Sequence, residues 1–184
     1  MLTKEKIIHS LKRLGEELAK EGMSGEILLT GGAAMCLAHS ARDMTKDVDA
    51  LYEPKEEIRR LVKKIAEQEG LPEDWLNDGV KGFVTEGAPT DEFMVLDGLK
   101  ITVVTPEYLL SMKLMSARYG ETDAGDIRFL MNKLQIKTVD DAYNILTRFY
   151  PANRILPKTM YMIQEYLDEL QDHTQSSEFQ NPQM

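Results

Sequence analysis

The chain has 184 residues, of which 42% are hydrophobic and 29% are charged, and its formal net charge is −9. This composition is typical of a folded globular protein and excludes an intrinsically disordered chain. The acidic balance argues against extensive binding of duplex DNA, because such binding depends on a basic surface that neutralises phosphates. No apolar run reaches the roughly 18–20 residues needed to cross a bilayer, so we expect no membrane partner.

The cysteine count and the N-terminal residues predict the cellular compartment of the protein. Cys36 is the single cysteine, which excludes an intramolecular disulfide framework and a multi-cysteine zinc site. The N-terminal residues carry charges of both signs and lack the apolar stretch of a signal peptide. We therefore expect a reducing, cytoplasmic environment.

Apolar spacing and glycine positions predict the elements of the first half of the chain. In chain order we expect a helix over 4–20, a strand at 27–30, a glycine turn leading into a helix at 31–38, a strand at 47–52 and a helix over 55–69. Residues 72–91 show no clear pattern, although we expect Trp75 and Leu76 to enter the core. This half therefore predicts strands interleaved with helices.

The second half begins with a hairpin and continues as helices. Apolar runs at 93–96 and 99–104 flank Asp97-Gly98, a pair that favours the type I′ turn. Thr105-Pro106 is typical of a helix start. Four helices are expected, over 107–118, 123–134, 138–149 and 157–170. We predict an α+β (α/β) fold, with a small mixed sheet and flanking helices in residues 1–104, a helical part in 105–170 packed on it, and a polar, disordered tail in 171–184.

The residues that point to chemistry lie in two short segments of the predicted sheet. Gly31-Gly32 follows the first strand, and Asp47-Val48-Asp49 begins the next one fourteen residues later. Alternation along a strand places Asp47 and Asp49 on one face, where their mutual repulsion is relieved by a cation. Mg²⁺ prefers carboxylate oxygens together with substrate phosphates, and paired glycines before a helix let backbone N–H groups approach a phosphate.

A glycine pair followed by an Asp-hydrophobic-Asp motif resembles the DNA polymerase β-like nucleotidyltransferase superfamily. Residues 42–49, with the sequence Arg-Asp-Met-Thr-Lys-Asp-Val-Asp, are similar to the corresponding stretch of AbiEii-type (abortive-infection toxin) nucleotidyltransferases of bacteria. Two later blocks agree in order. Residues 105–118 resemble the lysine-bearing helix of that family, and residues 123–127 resemble the aspartate motif that follows it. The resemblance covers roughly residues 25–135.

The resemblance implies a Mg²⁺ site and a role for each matched residue. Asp47 and Asp49 would bind one Mg²⁺ ion, or two in a two-ion site. Gly31 and Gly32 would hold the triphosphate of an NTP. Lys113 would contact phosphate or the reacting group, and Asp126 would orient that lysine or assist proton transfer. Arg42 and Lys46 are further candidates for nucleotide binding.

The chain departs from the superfamily pattern in two respects. The usual gap between the glycine pair and the aspartate motif is a little shorter than the fourteen residues here, and the second departure concerns a carboxylate. Superfamily enzymes commonly add a third carboxylate from a later strand. Here Asp91 and Glu92 precede the predicted strand at 93–96, Asp97 falls in the predicted turn, and Glu86 lies in a segment without a clear pattern. None of them is expected in the middle of a strand, which leaves the metal site incomplete.

Three hypotheses for function follow. The first is a Mg²⁺-dependent nucleotidyltransferase that moves a nucleoside monophosphate from an NTP to an acceptor, which is an RNA end, a protein or a small molecule. The second is a catalytically inactive protein of the same fold that acts in a toxin–antitoxin pair or another interaction, with a cognate antitoxin or a second copy as its partner. The third is a helical scaffold in which the aspartate pair is accidental.

Overall fold

The computed structural model describes residues 1–82, 84–85, 87–116 and 123–178. The chain divides into two compact units, Met1–Thr105 and Pro106–Met184, and the described residues of the first unit are mixed α and β whereas those of the second are helical. Among the described helices, none is long and apolar enough to cross a membrane. The expected α+β fold class is confirmed.

The first unit contains all seven strands seen in the described part of the chain, together with three helices. In chain order its elements are β1 (Leu2–Thr3), α1 (Lys4–Lys20), β2 (Gly25–Leu29), α2 (Gly31–Leu37), β3 (Met44–Thr45), β4 (Val48–Glu53), α3 (Lys55–Glu69), β5 (Leu76–Asn77), β6 (Thr90–Leu96) and β7 (Leu99–Val104), with a 3₁₀ turn at Gly79–Gly82. The expected helices over 4–20 and 55–69 are confirmed residue for residue.

Five of these strands form a mixed sheet in the order β5-β4-β2-β7-β6. β2 is antiparallel to β4 and parallel to β7, and it lies at the centre of the sheet. Val48, Ala50 and Tyr52 alternate with less buried residues along β4, so one face of the sheet is the core face. α1 and α3 pack together and contribute Leu18 and Ile58 to this core, where both approach Gly25 at the start of β2.

The β6–β7 hairpin turns at Asp97-Gly98, as the sequence predicts, and its tip packs against α1. Gly98 has a φ of +72°, and a Cβ added to it would lie 2.5 Å from the backbone oxygen of Gly15 and 2.8 Å from the backbone nitrogen of Ala19. A Cβ added to Gly15 would lie 2.7 Å from the oxygen of Asp97. Two glycines therefore allow a turn and a helix to meet backbone to backbone.

The first residues of the chain pair with the loop between α2 and β4. β1 and β3 form a separate two-stranded sheet in which Leu2 is the partner of Thr45 and Thr3 is the partner of Met44. Beyond the strand, the Lys4 backbone nitrogen donates to the Asp43 oxygen at 3.3 Å. This small sheet fixes the loop that leads into β4.

The second unit is helical wherever the structure describes it. Its helices are α4 (Pro106–Ser116), α5 (Asp123–Lys133), α6 (Val139–Phe149) and α7 (Pro157–Glu178), with a 3₁₀ turn at Ala152–Arg154. The sequence predicts the positions of all four, but α7 is longer than expected and continues through residues 171–178, which were expected to be a disordered tail. Residues 117–122, which include Arg118, and residues 179–184 lie outside the described part.

Two largely buried carboxylates of the first unit join α1 to α3. Glu17 accepts hydrogen bonds from Lys20 at 2.8 Å and from Lys64 of α3, and the hydrogen bonds from these two lysines lower the pKa of its carboxyl to about 2. At the other end of α3, Glu69 accepts from Lys6 at 3.0 Å and from Ser10 at 2.9 Å. Burial acts to raise the pKa of Glu69, but these hydrogen bonds outweigh it and the pKa lies below its ordinary value.

Candidate functional site

The aspartate pair lies at the start of β4, next to the carboxyl end of β2. Val48 between the two aspartates is fully buried, whereas Asp47 and Asp49 are each half-buried. Asp47 immediately precedes the strand and Asp49 is its second residue. Strand alternation thus directs Asp49 away from the core face that Val48 occupies.

The backbone of Asp49 is held by Thr30, the residue that follows β2. The Thr30 backbone nitrogen donates to the Asp49 carbonyl oxygen at 3.0 Å, and the Thr30 hydroxyl donates to the same oxygen at 3.3 Å. Thr30 itself is fully buried. The chain therefore enters its glycine turn directly beside Asp49.

The first glycine of the turn is in contact with the Asp49 side chain. Gly31 has a φ of +52°, a conformation that favours glycine, and a Cβ added there would lie 3.0 Å from Asp49 Oδ2 and 3.7 Å from its Cγ. Eighteen positions of sequence separate these two residues. The structure thus brings the glycine motif and the aspartate motif together, as the spacing predicts.

The second glycine faces the loop that precedes β4. A Cβ added to Gly32 would lie 2.6 Å from Thr45 Oγ1 and 3.3 Å from a terminal guanidinium nitrogen of Arg42. Arg42 is half-buried, whereas Lys46 is exposed. Gly31, Gly32, Arg42 and Asp49 are therefore neighbours. Thr45 was not predicted as a site residue, although it occupies the Ser/Thr position of the motif that the chain resembles.

The donor set at this turn suits a magnesium ion that carries phosphate ligands. Mg²⁺ is commonly bound through one or two carboxylates plus substrate phosphates, not by a complete protein cage. Asp47 and Asp49 supply that number of carboxylates. A side chain at Gly31 or Gly32 would meet Asp49, Thr45 or Arg42, so glycine at both positions lets the backbone lie against these groups. Among the described residues, no group of three or more His, Cys, Asp or Glu side chains is placed to hold a metal.

The candidates for a third carboxylate lie elsewhere in the structure. Asp91 and Glu92 were expected before a strand, but β6 begins at Thr90 and includes both. β6 is the edge strand and is three strands from β4, about 14 Å at the usual spacing between strands. Asp97 lies in the hairpin turn next to α1, and Glu86 lies outside the described residues.

The residue paired with Asp49 on the neighbouring strand β5 carries an amide. β5 runs parallel to β4, and its register pairs Asn77 with Asp49. The sequence analysis gave no role to Asn77, because a strand of two residues in a segment rich in polar residues produces no periodic signal. The pairing of Asn77 with Asp49 is known only from the register of β5 on β4 in the structure.

In the second unit, the predicted lysine is held by two aspartates. Lys113 is only 7% exposed, and its Nζ lies 2.6 Å from Asp123 Oδ1 and 2.8 Å from Asp126 Oδ2. Asp126 occupies the first turn of α5. The structure thus excludes a fully solvated surface lysine and brings together Lys113 and Asp126. Asp123 was missed as a partner, although it is three positions before Asp126 and shares its helix face.

The single cysteine has a structural environment. Cys36 lies on α2 and is completely buried, and burial raises the pKa of its thiol. The side chain is therefore a neutral thiol near pH 7 and does not serve as a nucleophile.

Comparison with known proteins adds no relative: no family model matches the chain, and no curated protein or solved structure matches it significantly.

Proposed function

We propose that this protein is a cytoplasmic, Mg²⁺-dependent nucleotidyltransferase that moves a nucleoside monophosphate from an NTP to an acceptor. The acceptor is an RNA end, a protein or a small molecule. The resemblance to AbiEii-type nucleotidyltransferases over residues 25–135 supports this proposal, and so does a donor set that suits a metal with phosphate ligands.

One observation carries the proposal. The Gly31 backbone and the Asp49 carboxylate are in contact, with 3.0 Å between Asp49 Oδ2 and the position of a Cβ on Gly31. A strand, a glycine turn and a second strand that begins with an aspartate pair are the parts needed to hold a metal and the phosphates that it bridges. The close approach of Gly31 to Asp49 supports a functional role for this aspartate over an accidental one.

The reaction makes one phosphorus–oxygen bond and breaks another. An acceptor hydroxyl attacks the α-phosphorus of the NTP, the bond between the α-phosphorus and the bridging oxygen breaks, and pyrophosphate leaves. The hydroxyl proton passes to a base or to water. When bound, Mg²⁺ would neutralise charge on the phosphate oxygens. Asp47 and Asp49 would hold that ion.

The remaining roles concern the orientation and charge of the triphosphate. Gly31 and Gly32 would let the backbone approach it, and Arg42 and Lys46 would offset its charge. Under the resemblance, Lys113 would offset negative charge that develops during transfer. Asp126 would orient the lysine, in keeping with the 2.8 Å ion pair between them.

A second candidate function is favoured by the composition of the site. Among the described residues, no third His, Cys, Asp or Glu joins the aspartate pair in a group that could hold a metal, and Asn77 is the residue paired with Asp49 on β5. A catalytically inactive protein that binds a nucleotide and acts in a toxin–antitoxin pair would have such a site.

Calorimetry with MgCl₂ and each of the four NTPs tests the site. We expect the unaltered protein to bind at least one NTP in a Mg²⁺-dependent way and the Asp49→Asn variant to lose this binding. Asp74→Asn is the matched control, because Asp74 is exposed in the same unit and the substitution removes the same charge. Equal Mg²⁺–NTP affinity of the unaltered protein and Asp49→Asn contradicts the proposal.

Transfer is then measured with α-³²P-labelled NTPs and a cell extract that supplies RNA, protein and small molecules. Label that becomes attached to an acceptor, and that disappears with Asp49→Asn but not with Asp74→Asn, supports the transferase. Binding without transfer supports the inactive alternative.

A further inference from the structure

The amide of Asn77 and the carboxylate of Asp49 belong to neighbouring strands. β5 is parallel to β4, with Leu76 paired to Val48 and Asn77 paired to Asp49. The pairing is anchored by the Val48 backbone nitrogen, which donates to the Trp75 oxygen at 2.8 Å. Adjacent strands lie about 4.8 Å apart, so Asp49 and Asn77 are close enough to act on one ligand.

Burial shows that these two side chains are on the same face of the sheet. Val48 and Leu76 are both buried in the core, whereas Asp49 and Asn77 are both half-buried. Paired residues on adjacent strands project to the same side, and successive residues project to opposite sides. Asn77 therefore shares the non-core face that carries Asp49.

The Asn77 side chain has a defined orientation. Its Oδ1 accepts a hydrogen bond from the Gly79 backbone nitrogen at 3.0 Å, within the turn that follows β5. An amide oxygen has two lone pairs and the amide nitrogen has two donor hydrogens, so this single bond leaves capacity for another polar group. The turn thus fixes an uncharged polar group beside Asp49.

We infer that Asn77 lines the Asp47–Asp49 site and that, as an uncharged amide paired in register with Asp49, it keeps the protein's own contribution to that site at two negative charges. This inference rests on the proposed function. The number of charged ligands tunes the affinity of a site for a divalent cation. With an amide at this position, the free protein binds Mg²⁺ weakly, and the ion enters together with the phosphates of the nucleotide.

The Asn77→Asp variant tests this inference in the absence of nucleotide. Aspartate has nearly the same shape and keeps an oxygen that accepts from the Gly79 nitrogen, so the turn is preserved. We expect the variant to bind Mn²⁺, used as a paramagnetic probe of a Mg²⁺ site, at least about tenfold more tightly than the unaltered protein. The measurement is a titration followed by electron paramagnetic resonance of free Mn²⁺.

Two further variants make the result specific. Asn144→Asp adds the same charge on an exposed position of α6 and should leave Mn²⁺ affinity unchanged. Adding Asp49→Asn to Asn77→Asp should return the affinity to that of the unaltered protein, because the two carboxylates share one ion. Equal affinity of Asn77→Asp and the unaltered protein would overturn the inference, as would tightening that survives Asp49→Asn.

Thermal unfolding provides an independent readout. Three neighbouring carboxylates repel one another without metal, so we expect Asn77→Asp to melt below the unaltered protein in EDTA and to regain its melting temperature in MgCl₂. A melting temperature insensitive to MgCl₂ would again count against a shared site. Failure of the proposed function is distinguished by the NTP titration of the unaltered protein, which involves no change at Asn77.

Discussion

The α-carbon of Gly98, in the β6–β7 turn, faces the carbonyl oxygen of Gly15 in α1 so closely that a Cβ on Gly98 would lie 2.5 Å from that oxygen. A contact of this kind requires glycine on the turn and permits no adjustment by side chains, because the opposing atoms are backbone. The hairpin and the first helix are therefore positioned by a pair of residues that contribute no side chain.

Replacing Gly98 by alanine should destabilise the protein by about 2–4 kcal/mol, the combined cost of a positive φ and of overpacking against backbone. Gly22→Ala is the matched control, since Gly22 has a φ of +70° but no atom within 4 Å of an added Cβ, and it should cost only about 1 kcal/mol. Urea denaturation at equilibrium measures both. Equal losses would show that the contact with α1 contributes nothing.

A second prediction concerns Gly32, where an added Cβ would clash with a neighbouring side chain. A Cβ on Gly32 would lie 2.6 Å from Thr45 Oγ1, so Gly32→Ala should destabilise the protein by about 1–3 kcal/mol. Thr45→Ala removes the opposing oxygen. The double variant should therefore be more stable than the sum of the two single changes predicts, by about 1 kcal/mol. If the two losses are additive in urea denaturation, the destabilisation at Gly32 does not come from contact with Thr45.

The pH dependence of stability should include a contribution from Glu17. Its pKa in the folded protein is about 2, below the ordinary value of 4.5. A lowered pKa stabilises the fold above pH 4.5, and this stabilisation is lost as the pH falls from 4.5 towards 2. Glu17→Gln should therefore flatten the fall in melting temperature over that range.

The comparison for Glu17 is Glu16→Gln on the same helix. Glu16 is more exposed, with its ion pair to Arg13 at 3.7 Å, and exposed pairs of this kind contribute little. Melting curves at pH 7, 4 and 3 decide the matter. A Glu17→Gln protein with the same acid sensitivity as Glu16→Gln would mean that the two lysines do not stabilise the folded carboxylate.

The ion cluster in the second unit should be measurable as a coupled pair. Lys113→Met removes the cation that lies 2.8 Å from the buried carboxylate of Asp126, which should cost about 3 kcal/mol. Adding Asp126→Asn removes that charge, so the double variant should recover about 1 kcal/mol or more. A double variant no more stable than Lys113→Met in urea denaturation would show that the uncompensated carboxylate is not the source of the loss.

Transfer activity separates a catalytic role of Lys113 from a structural one. If the proposed function holds, Lys113→Ala should lower turnover more than NTP affinity, because the contact strengthens as charge develops. Asp123→Asn weakens one of the two ion pairs of the lysine and leaves the cation in place, so it should reduce turnover less. If each variant lowers turnover and NTP affinity by the same factor, the lysine has a structural role only.

The elements of this fold are largely readable from the sequence because most carry a strong local signal. α1 and α3 have apolar residues on one face and clear endings at glycine, and the Asp97-Gly98 turn has its own residue preference. β6 was placed three residues too late, because Thr90, Asp91 and Glu92 are exposed on an edge strand and leave no apolar alternation to detect. The extension of α7 was missed because residues 171–178 are all polar in sequence and have no apolar periodicity.

The candidate site likewise contains some contacts that the sequence predicts and others that it does not. Contact between Gly31 and Asp49 follows from two strands whose order and turn can be predicted. Thr45, Asn77 and Asp123 are neighbours through strand register, loop position or ion pairing, and none of these is encoded as a periodic pattern. Additional residues of this kind around a site therefore cannot be predicted from a single sequence.

The pairing of Leu2 and Thr3 with Met44 and Thr45 makes the first residues of the chain part of the architecture of the proposed nucleotide site. The loop that presents Arg42 and Thr45 to Gly32 is held by a strand only two residues long. Proteolytic removal of residues 1–3, or a bulky tag fused immediately before them, would act on this loop from outside the site. If tagged and untagged protein differ in nucleotide affinity, the pairing of β1 with β3 would explain the difference.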